Sequence, residues 1–131
     1  MTEANMPERD TAIRIEVKTR YLAEQSAPAE HRFVFSYTIT ITNGGDEAVR
    51  LLNRHWLITD ADNKVQEVRG VGVVGEQPLI AAGDSFQYTS GAMIETAVGT
   101  MQGSYEMISA SGHTFNAPIR AFSLAQPGVL H

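Results

Sequence analysis

The 131-residue sequence contains no cysteine, which excludes disulfides, thiolate metal ligands and cysteine nucleophiles. It also lacks any run of about twenty apolar residues, so we expect no transmembrane helix. Residues 1–10 have neither the basic start nor the apolar stretch of a signal peptide. Together these absences predict a cytoplasmic protein with no membrane partner.

Positive charge is scarce as well. Ten Lys and Arg face fifteen Asp and Glu, for a net charge of −5, and the basic residues are scattered. A nucleic-acid-binding domain usually carries a basic patch, so we do not expect nucleic acid as a partner. The length and the 43% hydrophobic content suit one folded domain. We place it at residues 11–125, between flexible ends at 1–10 and 126–131.

Period-two alternation of apolar and polar residues dominates the chain and predicts β-strands. It is clearest in residues 13–21 and again in residues 33–42, where aromatic and β-branched side chains occupy every second position. Asn43 to Asp46 (Asn-Gly-Gly-Asp) predicts a turn that uses positive φ. Turn residues recur about every ten positions and no amphipathic helix is evident. Seven or eight short strands therefore predict an all-β sandwich or barrel.

Several separated sequence blocks resemble the ApaG family, also called CorD. In chain order they are Leu51-Leu52-Asn53-Arg54-His55-Trp56, Gly70-Val71-Gly72-Val73-Val74-Gly75-Glu76-Gln77-Pro78, Tyr88-Thr89-Ser90-Gly91, Gly99-Thr100-Met101-Gln102-Gly103-Ser104-Tyr105 and Phe122-Ser123-Leu124. The likeness runs from about residue 13 to residue 124. It implies an immunoglobulin-like, fibronectin III-type two-sheet β-sandwich.

The resemblance also implies indirect links to function. Bacterial members are linked by gene neighbourhood to a diadenosine tetraphosphate hydrolase and by genetics to cobalt and magnesium tolerance. Eukaryotic relatives carry the domain inside adaptor proteins, where it resembles a protein-interaction module. The family brings no established catalytic residue that could be transferred to this sequence.

Gly70, Gly72 and Gly75 have the spacing of the dinucleotide-binding fingerprint, G-x-G-x-x-G. That fingerprint needs a helix behind it to hold the pyrophosphate. Gln77-Pro78 and a turn follow instead, so a Rossmann site is not expected. Two readings stay open: a loop whose glycines only build the fold, or a cradle of backbone N–H groups for an anion. The candidate ligand or partner residues are Gly70, Gly72, Gly75, Glu76, Gln77, Arg54 and Arg69, with Lys64 as a further source of charge.

Other motifs favour structural roles. Trp56, the only tryptophan, is expected to anchor the core, while His55 takes the opposite face of its strand. His55 and His113 are weak candidates for a divalent metal, because neither has a ligand-spaced partner. The Asp60-x-Asp62-Asn63 segment lacks the later ligands of a calcium loop and predicts a turn. No histidine lies at a sequence spacing from Ser104 that would indicate a catalytic Ser–His pair.

The sequence therefore favours a non-enzymatic binding module with a protein partner, and we expect no catalytic residue, metal or cofactor. The alternative is a site for an anion, a nucleotide polyphosphate or a divalent metal at the 70–78 loop. Homodimerisation through an edge strand is a further expectation, because sandwiches can expose unpaired edges.

Overall fold

The computed structural model describes residues 12–129, which form two antiparallel sheets packed face to face. Three strands, in the order β1-β2-β6, make one sheet; the other has the order β4-β3-β7-β8, with β5 also paired to β3. The strand bounds are β1 Ile13–Tyr21, β2 Phe33–Asn43, β3 Val49–Asp60, β4 Val65–Val71, β5 Leu79–Ile80, β6 Ser85–Ile94, β7 Val98–Ser109 and β8 Thr114–Ala125. The expected all-β two-sheet sandwich is confirmed.

The three-stranded sheet follows directly from the alternation. Every odd residue of β2, from Phe33 to Asn43, is buried, and the even ones face outward. The outward threonines are joined across strands, for example Thr38 to Thr89 at 2.8 Å. In β1 the apolar residues at 13, 15 and 17 are only half-buried, because β1 is an edge strand.

The core between the sheets is built around aromatic rings. Trp56 is 2% exposed, and its ring packs edge-on against Tyr37, Tyr105 and Phe122 at centroid distances of 5.4, 6.3 and 5.9 Å. These contacts join strands of both sheets, and edge-to-face geometry is the favoured one for aromatic pairs. The prediction that Trp56 anchors the core is confirmed.

Some expected details are corrected. The turn at residues 43–46 contains no positive φ; instead the Gly45 N–H donates to the buried Asn43 side chain at 3.0 Å, an Asx-type turn. The glycine-rich 70–78 segment is followed by the short strand β5, which the sequence analysis did not predict. The predicted ends at 1–10 lie outside the described residues, as do positions 130–131 of the second end. In the described part, no helix is long and apolar enough to cross a membrane.

Candidate functional site

The glycine-rich loop at 70–78 is a compact hairpin joining β4 to β5. Val73 and Glu76 exchange both backbone hydrogen bonds, at 2.8 and 2.9 Å, around the two central residues Val74 and Gly75. Both central residues have positive φ, 42° and 83°. A two-residue hairpin with positive φ at both central positions is a type I′ turn. The loop therefore has a defined shape of its own.

Gly70 and Gly72 both have close neighbours, but only those nearest to Gly72 are backbone atoms. A Cβ on Gly70 would lie 2.6 Å from the Arg54 guanidinium, which passes directly over that glycine. A Cβ on Gly72, at φ 65°, would lie 2.1 Å from the carbonyl oxygen of Glu76. Gly72 and Gly75 thus have a structural reason to be glycine, a backbone contact and a turn, whereas a side chain at Gly70 would require only that the end of Arg54 move.

The loop is tied to β3 along both arms. Arg54 Nη1 donates to the carbonyls of Val71 at 3.2 Å and Gly72 at 2.9 Å. On the other arm, Arg50 Nη1 donates to the Gln77 carbonyl at 2.7 Å, and Gln77 Nε2 donates to the Leu52 carbonyl at 2.9 Å. Because β3 runs through the middle of its sheet, these bonds fasten the loop to the rigid part of the molecule.

Val74, at the tip of the loop, has an unusual backbone. It is one of three described non-glycine residues with positive φ, beside His31 and Asn63, and the only β-branched one. A β-branched residue is a genuine outlier in this region. The left-handed conformation disfavours an L-residue by about 1–2 kcal/mol. Val74 therefore combines a strained backbone with an exposed side chain.

Behind Arg54 a buried tyrosine pair links the two sheets. The hydroxyl of Tyr88 on β6 hydrogen-bonds that of Tyr105 on β7. Burial raises the pKa of both hydroxyls well above the usual value, and the positive charge of Arg54 offsets this only in part. Both tyrosines therefore stay neutral, and the pair is a hydrogen-bonded tie between the layers.

A polar depression of about 570 Å³ lies on the outer face of the five-stranded sheet, beside the loop. Strand register assembles it, since Asn53 lies opposite Glu106 and His55 lies opposite Ser104. The amide of Asn53 donates to the Glu106 carboxylate at 2.6 Å. The lining residues are Asn53, Arg54, His55, Arg69, Gly70, Val71, Ser104, Glu106 and Asn116.

His55 is held at the wall of this depression by Glu67. Its Nε2 lies 2.7 Å from a Glu67 carboxylate oxygen, which also accepts a bond from Arg69 Nη2 at 2.8 Å. The hydrogen bond from His55, followed by the charge of Arg69, lowers the pKa of the exposed Glu67 carboxyl. Ser104 is the cross-strand neighbour of His55, and the hydrogen bond that the structure shows for the imidazole is the one to Glu67.

The predicted site residues divide into two groups. Arg54, Arg69 and Gly70 line the depression together, whereas Gly72, Gly75, Glu76 and Gln77 belong to the hairpin beside it. Lys64 lies at the opposite end of β4, paired with Glu95. The N–H groups of Gly72, Val73 and Glu76 already donate to backbone carbonyls, which leaves the predicted anion cradle few donors.

The metal candidates do not converge. His55 is in the middle of β3, whereas His113 precedes β8 and stacks on Phe115 at 5.8 Å. Within residues 12–129 no three His, Cys, Asp or Glu side chains are grouped as metal ligands would be. The Asp60 carboxylate accepts the N–H groups of Asp62 and Lys64 at 2.8 and 2.9 Å. That segment is the turn predicted from its sequence.

Comparison with known proteins shows which family has this sequence and fold. The ApaG domain family matches residues 23–109. The chain belongs to the ApaG family. It is 60% identical over 119 residues to Protein ApaG of Thiobacillus denitrificans, covering 91% of this chain and 94% of that one. Protein ApaG of Pseudomonas paraeruginosa is 54% identical over 126 residues, covering 96% and 100%.

Solved structures of similar proteins have the same fold. A crystal structure of the putative ApaA protein from Bordetella pertussis superposes with a TM-score of 0.87 at 47% identity, covering 89% of this chain and 95% of that one. An X-ray structure of a structural-genomics target gives 0.88 at 53% identity, with 93% and 92% covered. The resemblance to ApaG proteins seen in the sequence is thus confirmed over most of the chain.

Proposed function

We propose that this ApaG-family chain is a non-enzymatic binding module that contacts a protein partner through its 70–78 loop and the flanking residues. Five large hydrophobic side chains are well exposed among the described residues, and three of them surround this loop: Val71 at 68%, Val74 at 54% and Leu79 at 60%. Apolar side chains gathered at one exposed place favour a protein contact.

Val74 is the observation that carries the proposal. Folding alone would favour Asn at this position of a type I′ turn, since Asn adopts positive φ readily and Val does not. Its side chain is exposed and adds little to the core. A strained, exposed valine is a poor choice for stability, and strain of this kind concentrates at functional positions.

The anchoring of the loop supports the same function. Its two arms are fixed to β3 by Arg54, Arg50 and Gln77. A loop already held in one conformation loses little entropy when it binds, which favours affinity for a partner.

The test compares partner capture by three folded proteins: wild type, Val74→Asn and Met93→Gln. Met93 is a similarly exposed apolar residue on β6 and serves as the matched control. We expect quantitative proteomics of native pull-downs to recover a set of proteins with wild type and with Met93→Gln that Val74→Asn does not retain. Equal recovery by all three would refute the role of the loop.

An anion is the second candidate ligand. The residues that could bind it lie at the depression on the outer face of the sheet and not in the 70–78 loop. Arg69 and His55 are both at this depression, beside the donors Asn53 and Asn116. The carboxylates of Glu67 and Glu106 oppose a highly charged ligand. Amide NMR titration with pyrophosphate, diadenosine tetraphosphate, cobalt and magnesium tests this; saturable shifts at Arg69 and Ser104 would favour it, and unmoved signals would remove it.

Two finer assignments belong here as well. We favour the immunoglobulin-like, fibronectin III-type class, because three and four main strands share the two sheets in the orders β1-β2-β6 and β4-β3-β7-β8. A cytoplasmic location stays a prediction, motivated by the cysteine-free sequence.

A further inference from the structure

Within residues 12–129, β4 forms a free edge of the five-stranded sheet, and its sequence is nearly symmetric. Val65–Val71 reads V-Q-E-V-R-G-V, with Val68 at the centre, Glu67 and Arg69 on either side of it, and a valine at each end. The alternate residues Val65, Glu67, Arg69 and Val71 are all exposed. Exposed edges tend to pair with other strands unless they are protected.

The backbone groups on that edge can be assigned from the bonds at both ends of β4. The Gly72 N–H donates to the Leu52 carbonyl, and the Lys64 carbonyl accepts from the Asp60 N–H. Gly72 and Lys64, which flank β4 and bond to β3 in these two contacts, both have even numbers. Because hydrogen bonding alternates along an antiparallel pair, the even residues face β3 and the odd ones face away from it. The N–H and C=O groups of Glu67 and Arg69 are therefore directed towards the free edge.

A second copy of this strand fits that edge in one register. If two β4 strands run antiparallel with Val68 opposite Val68, each Glu67 lies opposite an Arg69, and each Val65 lies opposite a Val71. The odd residues, whose backbone groups face the edge, are then the ones that exchange hydrogen bonds. Opposite charges facing each other stabilise a strand pair, and like charges destabilise it.

Neighbouring registers are disfavoured by the same residues. A shift of two positions in one direction places Glu67 opposite Glu67, and in the other direction Arg69 opposite Arg69. A shift of one position would turn the side chains of one strand to the wrong face. The central register also brings together Val65 and Val71, which are 55% and 68% exposed in the single chain.

We propose that this chain forms a two-fold symmetric homodimer by antiparallel pairing of β4 with β4 of a second copy, centred on Val68, so that the two five-stranded sheets become one continuous sheet. The inference does not rest on the proposed partner contact of Val74. The paired strand contributes seven residues per copy, whereas a standard interface of roughly 1,600 Å² involves about 20–30 residues per partner. We therefore expect the dimer to be weak and reversible.

Sedimentation velocity from about 10 µM to about 1 mM tests the proposal. We expect the mass of wild type to rise from 14.3 kDa towards twice that value. Glu67→Arg and Arg69→Glu each place like charges opposite one another and should weaken association by about tenfold or more. The double exchange Glu67→Arg with Arg69→Glu restores opposite charges and should restore the dimer. Glu16→Arg, on the edge strand β1, is the control and should leave association unchanged.

Amide hydrogen exchange of wild type gives an independent measurement that needs no variant. In the dimer, the N–H groups of Glu67 and Arg69 are hydrogen-bonded, and their exchange should slow as concentration rises. The proposal would be overturned if the protein were a monomer at every concentration, or if the amide exchange rates of Glu67 and Arg69 did not change with concentration. A dimer that either single charge variant leaves intact would also overturn it, as would a double exchange that fails to restore association.

Discussion

Replacing Gly72 with alanine tests whether the glycine motif builds the loop. At φ 65° the new Cβ would lie 2.1 Å from the Glu76 carbonyl oxygen and 2.8 Å from its carbon. Both atoms are backbone, so the hairpin itself must shift. The left-handed conformation disfavours alanine by about 1–2 kcal/mol, and forced displacement of packed atoms adds about 1–3 kcal/mol. These sum to about 2–5 kcal/mol, and alanine regains about 0.4–1 kcal/mol by restricting the unfolded chain. We therefore expect Gly72→Ala to lower the free energy of unfolding by about 1–5 kcal/mol.

Gly75→Ala is the matched comparison, because Gly75 also has positive φ but a Cβ there would meet nothing within 4 Å. It loses only the conformational preference, part of which is offset because alanine restricts the unfolded chain by about 0.4–1 kcal/mol. The expected loss is about 1 kcal/mol. Gly83→Ala, equally unobstructed at φ 85°, should behave like Gly75→Ala.

Urea unfolding followed by tryptophan fluorescence measures all three variants, since Trp56 reports on the core. The slope with urea should not change, so the midpoints alone give the order. Equal losses at Gly72 and Gly75 would refute the reasoning, because the close approach to Glu76 would then carry no energy. A folded, fully stable Gly72→Ala variant that lost only binding would favour a ligand cradle instead.

Two further predictions concern the core tie and the surface carboxylate. Tyr88→Phe and Tyr105→Phe each leave the other buried hydroxyl without its partner and should each lower the free energy of unfolding by about 1–3 kcal/mol. The double variant should lose less than the sum of the two single losses. Additive losses in a double-mutant cycle would contradict the pairing. Because the pKa of Glu67 is lowered in the folded state, its contribution to stability is present above the usual glutamate value of 4.5 and is lost as pH falls through the folded pKa. Carboxyl NMR titration should give a midpoint below 4.5 that rises in His55→Ala; an unchanged midpoint would contradict the His55 contact.

The sequence predicts the regular strands better than their ends. Alternation locates β1 and β2 almost to the residue, because one face of each meets the core. The ends of β6 and β8 are harder to predict. β6 continues to Ile94 through Gly91 and Ala92, two small residues that add little to the hydrophobic alternation. Likewise β8 continues past Pro118 to Ala125, and a proline is tolerated there because β8 is an edge strand.

The site is less accessible to sequence reasoning than the fold. The glycine spacing pointed to the loop, but the cover of Gly70 by Arg54 depends on the register of β3 with β4. The depression depends on strand register as well, because pairing of β3 with β7 and of β7 with β8 places Asn53, Glu106 and Asn116 side by side. Only the outward positions of β3, β7 and β8 taken together could have indicated it. The strain at Val74 appears only in the backbone angles.

The most direct test of the binding proposal is the stability of Val74→Asn. If the valine is present for a partner and not for folding, asparagine should relieve the left-handed strain, and urea unfolding should show a gain of about 1 kcal/mol. A loss of stability would contradict the proposal, because it would mean that the valine at the tip of the loop is needed to hold the fold.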